Sequence, residues 1–157
     1  MADKRIVYQA ENGIAVVVIP DPNFLAQGNT IDDVLIKCVP ENCRDSANVV
    51  DVDTVPSDRT FRNAWVTSSG ESVSVDLDKS KVLAKEKVRE ARTPKFQELD
   101  IAYQRADEAG DADAKAAVVV KKQTARDATA DTKITNADSV DNLKTGMNEV
   151  IAEVEGL

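Results

Sequence analysis

The chain has 157 residues, with 28 aspartates and glutamates against 20 lysines and arginines, and a formal net charge of −8 at pH 7. An acidic surface of this kind repels phosphate and argues against a general nucleic-acid binder. Histidine is absent, which excludes histidine-based acid–base catalysis, Ser-His-Asp and Cys-His nucleophiles, and the commonest zinc ligand.

The first residues, MADKRIVYQAEN, contain no apolar segment typical of a signal peptide, and no later stretch reaches the roughly 20 apolar residues of a membrane span. We therefore expect a protein made in the cytoplasm, without a membrane partner. Cys38 and Cys43 are separated by VPEN, which fits neither a CxxC redox motif nor a paired zinc motif. Two reduced thiols are favoured, with a local disulfide or an intersubunit bridge as the alternative.

The first half of the chain predicts strands and turns. Two runs rich in β-branched residues, 6–8 and 14–19, flank Asn12-Gly13, a dipeptide that favours a hairpin turn. PDPNF ends the second strand, because proline cannot donate to a β-ladder. Thr30 followed by Asp33 predicts a capped short helix before Pro40, with a strand as the alternative.

The segment 56–65, PSDRTFRNAW, is the most distinctive of the chain. It places Arg59, Phe61, Arg62 and Trp65 within seven positions of a sequence that has a single tryptophan. In a helical turn Phe61 and Trp65 share one face. We predict that the two aromatic residues lock the β-rich unit onto the helical unit, with both arginines paired to nearby carboxylates. The alternative is an anchor for another subunit, because Trp, Phe and Arg are enriched in interface hot spots.

After this segment, AWVTSSGESVSVD alternates around Ser69-Gly70 and predicts a second hairpin. From Asp76 onwards, Ala, Lys, Glu and Arg dominate and indicate helices. Thr93-Pro94 predicts a kink or a fresh helix beginning at Pro94. Gly110 then ends this helical stretch, and Asp111 caps the next, giving an antiparallel helical hairpin at about 77–130.

A C-terminal helix at about 138–155 has apolar residues at alternating steps of three and four, which is the spacing of a coiled coil. The candidate oligomerisation seam consists of Val140, Leu143, Met147, Val150 and Val154. Two heptads interrupted by Gly146 are too short to be stable alone. This helix is therefore expected to dock either on its own domain or on another copy of the chain.

These elements predict an α+β fold with a β-rich unit at 1–76 and an α-helical unit at 77–157. The basic stretch 79–95 is either a patch for an acidic partner or a solvated helix face, and the latter is favoured because no aromatic residues alternate with the charges. The acidic pairs in DVD and DADA lack the spacing of a calcium loop. No catalytic residue, cofactor or metal site is predicted, and we expect a protein that is not an enzyme.

Four stretches carry a resemblance to a known family: VPSDRTFRNAWV at 55–66, VDLDKSKVLAKEKVREAR at 75–92, LDIAYQRADEAGD at 99–111 and KKQTARDATAD at 121–131. On these the chain resembles a family of small proteins encoded in tailed-bacteriophage and prophage genomes. The resemblance implies a protein from the tail or structural-gene region, located in the virion after synthesis in the host cytoplasm.

Two functions fit this setting. The first is a structural protein of the tail, baseplate or tail-fibre attachment region that binds other phage structural proteins and self-associates, with a trimer along a fibre axis as one arrangement. The second is an assembly chaperone for a tail or tail-fibre subunit that is absent from the mature particle. A head decoration or connector subunit is a further alternative that no sequence feature distinguishes.

Overall fold

The structure is a computed structural model that describes residues 3–157. The chain divides into two compact units, Met1–Asp76 and Leu77–Leu157. Short antiparallel sheets lie in the first unit, and the long helices lie in the second. The predicted α+β fold class is confirmed.

The first hairpin pairs β1 (Lys4–Gln9) with β2 (Ala15–Val18) in antiparallel register, with Tyr8 opposite Val16. The connection is longer than a two-residue turn. The Gly13 amide donates to the Ala10 carbonyl (2.9 Å), and the Ala10 amide donates to the Ile14 carbonyl (2.9 Å). Gly13 adopts a φ of +73°, which closes a three-residue loop of the bulged type.

The middle strand of the main sheet is β1, because β3 (Asn48–Asp51) pairs antiparallel with its other edge. Side chains that alternate along β1 are therefore buried on both faces of the sheet. Ile6 and Tyr8 pack with Val34, Val39 and Cys43 on one side. On the other side, Val7 packs with the small core that contains Trp65.

Two short α-helices and a 3-10 helix (Glu41–Ser46) connect β2 to β3. The first, α1 (Pro22–Ala26), lies in a segment for which the sequence predicted only a strand end, and the Asp21 side chain caps it. The second, α2 (Ile31–Cys38), confirms the helix over the alternative strand. Thr30 and Asp33 form a reciprocal capping box, in which the Thr30 amide donates to the Asp33 carboxylate (2.7 Å). Cys38 and Cys43 are free thiols, so the local disulfide is not formed.

A second, two-stranded sheet pairs β4 (Trp65–Val66) antiparallel with β5 (Ser74–Val75), as the predicted hairpin requires. Gly70 in the connecting loop has a φ of +74° and lies against the backbone of Ser46. The helical turn predicted to carry Phe61 and Trp65 is shorter than expected. A 3-10 helix spans only Arg62–Ala64, and Trp65 already begins a strand.

The second unit begins with α3 (Leu77–Glu108), a single helix of 32 residues that contains Pro94. The alternative of a fresh helix at Pro94 is therefore wrong, and the alternative of a kink at Pro94 stays a prediction. The helix ends before Gly110, which has a φ of +67°, and α4 (Ala112–Asp127) follows with Asp111 as its cap. Lys122 bridges to Asp100 (2.7 Å), and Arg92 donates to the carbonyl of Arg126 (3.0 Å). These cross-links run in the antiparallel sense, so the helical hairpin is confirmed.

A short helix, α5 (Thr132–Thr135), leads to the C-terminal helix α6 (Val140–Glu155). The seam predicted for oligomerisation serves the unit's own core: Leu143, Met147, Val150 and Val154 are at most 3% exposed. The helix packs against α3 and α5 of its own chain. Docking on its own domain is the alternative that the structure shows, because the single chain already buries four of the five seam side chains and half-buries Val140. Oligomerisation of the protein stays a prediction.

Candidate functional site

The first unit contains a surface cavity of about 680 Å³, which we call the arginine cavity. It is lined by Arg5, Val17, Ile19, residues 52–57, Arg59, Arg62, Trp65 and Val73. Its walls therefore come from the main sheet, from the segment that follows β3 and from the distinctive segment 56–65. The volume lies within the range typical of ligand-binding pockets.

Local turns place the two arginines of segment 56–65 at this cavity. The Asp58 carboxylate accepts hydrogen bonds from the Thr60 amide (2.8 Å) and the Thr60 hydroxyl (2.6 Å). The Arg62 amide then donates to the Arg59 carbonyl (3.1 Å), which sets the two residues one 3-10-like turn apart. Side chains three positions apart in such a turn lie nearly above one another. Arg59 and Arg62 consequently reach the same cavity.

The three arginines of the cavity differ in their ionic partners. Arg5 forms a bidentate pair with Asp3 at 2.5 and 2.7 Å, and this pairing lowers the pKa of Asp3. Within residues 3–157, neither Arg59 nor Arg62 has a side-chain hydrogen bond or a salt bridge. Their predicted pairing with nearby carboxylates is therefore wrong. Asp53, although it lines the same cavity, leaves both guanidinium groups available.

This local charge opposes the charge of the unit around it. Residues 1–76 contain six basic and twelve acidic side chains, which corresponds to a net charge of −6. Half of those basic side chains, Arg5, Arg59 and Arg62, line one cavity. Positive charge is therefore concentrated at the arginine cavity of an otherwise acidic unit. This favours an anionic group as the occupant of the cavity.

Trp65 combines a structural role with an unsatisfied polar atom. Its side chain is 3% exposed and packs with Val7, Ala15, Val50 and Val73 in the core of the first unit. Its indole Nε1–H is buried and has no hydrogen-bond acceptor among the described residues. Leaving such a donor unpaired costs about 1–3 kcal/mol. Because Trp65 also lines the arginine cavity, an acceptor atom on a ligand is one means of satisfying it.

The structure divides the four predicted anchor residues into two kinds. Phe61 is 2% exposed and Trp65 is 3% exposed, so both aromatic residues belong to the interior. Arg59 and Arg62 are exposed and are directly accessible to a partner, whereas Trp65 contributes to the cavity wall with a largely buried side chain. Sequence reasoning missed Arg5 and Ile19 as neighbours of this cluster, because only the fold of the first unit brings β1 and the residue that follows β2 to segment 56–65. The aromatic lock between the two units stays a prediction.

Residues of the other two candidate regions from the sequence, the basic stretch 79–95 and the acidic pair in DADA, make structural hydrogen bonds. In the basic stretch, Lys81 donates to the Thr135 carbonyl (3.0 Å), and Arg92 holds carbonyls at the end of α4. Asp111 of the DADA pair caps α4 through the Ala114 amide (2.9 Å). Among residues 3–157, no three Cys, Asp or Glu side chains are grouped as metal ligands. In the same part of the chain, no helix has both the length and the apolar character to cross a membrane.

Comparison with known proteins adds no further constraint on this site. The chain matches no protein-family model, no curated protein and no solved structure. The function is therefore argued from the arginine cavity, with the tailed-phage resemblance as an expectation about its setting.

Proposed function

We propose that the protein is a non-enzymatic phage structural protein of the tail, baseplate or tail-fibre attachment region, and that it binds a neighbouring phage protein through the arginine cavity. The observation that carries the binding role is a pair of exposed arginines that have no ionic partner among residues 3–157 and lie beside a buried tryptophan. Arginine and tryptophan are the residue types most enriched where protein interfaces concentrate their energy.

Apolar surface beside the arginines supports the same role. Ile19 is 59% exposed and Val52 is 37% exposed, and both line the cavity. Protein interfaces usually combine such an apolar area with a few charged groups at the rim. Contact through this surface does not require the coiled-coil seam, since α6 uses its seam in the core of the second unit.

Site-specific photocrosslinking tests where the partner binds. A benzophenone amino acid replaces Val52 at the cavity, and in a matched control it replaces Val120, which is 65% exposed on α4. Both variants are introduced into a phage that encodes the chain. We expect a crosslink from position 52 to one defined phage protein and none from position 120. Equal crosslinking at both positions would contradict binding through the cavity.

Quantitative mass spectrometry of purified particles tests the setting. A structural protein is expected at a fixed, low copy number relative to the major tail-tube subunit. Absence from the particles, together with abundance in the infected-cell lysate, would reject the structural role and indicate the assembly chaperone instead.

A further inference from the structure

We propose that the arginine cavity recognises a carboxylate presented by an acidic, partly apolar segment of the partner protein, with Arg59 and Arg62 as the anion-binding groups and the Trp65 indole as an additional donor. This inference rests on the proposed function, because it names the chemistry of the partner that the same site would bind.

The guanidinium groups of Arg59 and Arg62 are the first reason to expect a carboxylate. Each presents a planar set of N–H donors that matches the two oxygens of a carboxylate. Arg59 and Arg62 lie one turn apart and line the same cavity. Both are exposed, and neither has an acidic partner within residues 3–157. A carboxylate from another chain would therefore meet two available cations without first displacing an internal ion pair.

The Trp65 indole is the second reason to expect an occupant with a hydrogen-bond acceptor. Its Nε1–H is a buried donor without an acceptor in the described part of the chain, and Trp65 lines the cavity. Carboxylate and backbone carbonyl oxygens both accept hydrogen bonds from an indole. An occupant that places either oxygen on this donor satisfies a polar atom that residues 3–157 leave unpaired. The gain is specific to an occupant with an acceptor, because a purely apolar side chain would leave the donor unsatisfied.

The apolar side chains of the cavity favour a protein segment over a polyanion as its occupant. Val17, Ile19, Val55 and Val73 line the same cavity as the arginines. A segment that alternates acidic and apolar side chains uses both kinds of surface. A nucleic acid uses only the charge, and its other phosphates would meet a unit with a net charge of −6. Charge complementarity is therefore local, and it favours a short acidic peptide.

Peptide titrations of the full chain test the inference. The first probe is a hexapeptide of alternating valine and glutamate, acetylated and amidated at its ends, and its control has glutamine in place of glutamate. A third peptide of alternating valine and glutamine carries a free C-terminal carboxylate, and the fourth probe is a single-stranded octathymidylate. Because the chain has one tryptophan, its fluorescence and its single indole N–H signal in a ¹⁵N-correlated spectrum both report on Trp65.

We expect the glutamate peptide to bind and to move the indole N–H signal, with the glutamine peptide binding about tenfold more weakly. Arg59→Gln and Arg62→Gln should each weaken binding about threefold, and the double variant about tenfold, because exposed charge pairs contribute modestly. Arg105→Gln is the matched control, since Arg105 is an exposed arginine on α3, outside the cavity. Affinity should also fall as the salt concentration rises.

The probes separate the possible sources of the anion. Binding of the third peptide in place of the first would identify a chain terminus as the carboxylate. Octathymidylate binding more tightly than either peptide would overturn the inference in favour of phosphate. Equal affinities for the glutamate and glutamine peptides would also overturn it, as would a double variant that binds like the wild type. Circular dichroism of each variant verifies that the fold is kept.

Failure of this inference is distinguishable from failure of the proposed function. A specific crosslink at position 52 that survives in the Arg59→Gln, Arg62→Gln double variant would leave the protein-binding role intact and reject carboxylate recognition. Glutamate-peptide binding that depends on both arginines, in a protein that crosslinks to no phage component, would support the site and reject the virion role.

Discussion

Gly146 tests whether tertiary packing or local propensity controls the C-terminal helix. It lies in α6, with ordinary helical neighbours on both sides. A Cβ built at this position would lie 2.5 Å from the Lys133 carbonyl oxygen and 2.9 Å from the Lys133 Cβ. Distances below 3.0 Å require a shift, and here the nearest atom belongs to the backbone of the neighbouring segment, α5.

The two effects of Gly146→Ala have opposite signs. Replacing a glycine inside a helix by alanine normally stabilises it by about 1 kcal/mol. Overpacking a close backbone contact costs about 1–3 kcal/mol, and the present clash lies at the upper end because a carbonyl must move. We expect a net loss of about 2 kcal/mol in the free energy of unfolding. For a unit of this size, the corresponding fall in melting temperature is on the order of 10 °C.

Urea unfolding followed by circular dichroism at 222 nm measures this change, since the long helices belong to the second unit. Thr145→Ala is the matched control, because Thr145 is exposed on the same helix and has no comparable clash. The control should be stabilised by a few tenths of a kcal/mol, as its propensity predicts. Equal or increased stability of Gly146→Ala would refute the close approach of α5 and α6.

Three further predictions concern single positions. Gly70→Ala should destabilise the first unit by about 2–3 kcal/mol, because the φ of +74° and the nearby Ser46 carbonyl both disfavour a Cβ. Urea unfolding monitored by Trp65 fluorescence measures this loss, and an unchanged unfolding midpoint would contradict it. Leu143→Ala should lower the free energy of unfolding, measured by circular dichroism, by about 3 kcal/mol. Val140→Ala should cost much less, because Leu143 is 0% exposed whereas Val140 is only half-buried. Similar losses in the two variants would argue against docking of α6. The pKa of Asp33 is lowered mainly by the hydrogen bond from the Thr30 amide and then by that from the Thr30 hydroxyl. The contribution of the Asp33 carboxylate to folding stability is therefore complete above about pH 4 and is lost as the pH falls through the lowered pKa. The difference in unfolding free energy between wild type and Asp33→Ala should therefore be constant from pH 7 to pH 5 and shrink below pH 4, and a difference unaffected by acid would contradict the capping box.

Much of the fold could be predicted from local signals. Asn12-Gly13 marks a hairpin turn, Thr30 with Asp33 marks a helix start, and Gly110 with Asp111 marks the junction of two helices. These motifs act over three to five residues, so their effect does not depend on distant contacts. The helix α1 was missed because PDPNF has the composition of a strand end, and Asp21 acts there as a helix cap instead.

The candidate site could be predicted only in part. The unusual grouping of Arg59, Phe61, Arg62 and Trp65 identified the right segment, because rare residue types are visible in the sequence. That both arginines lack ion pairs within residues 3–157 was not predictable, since this depends on where the carboxylates of other segments lie. Arg5 and Ile19 joined the site only through the pairing of β1 with β2 and the fold of the unit around them.

The amino-acid sequence by itself determined the α+β class, the main helices and the excluded histidine chemistry, because composition, capping and periodicity act locally. Tertiary structure alone decided what the apolar and charged faces contact. The periodic spacing of α6 is equally suited to another copy and to its own chain, and burial of Leu143 and Val150 within the second unit selects the latter. In the same way, only the folded first unit places Arg59 and Arg62 at one cavity and, in the part of the chain that the structure describes, leaves them without a carboxylate partner.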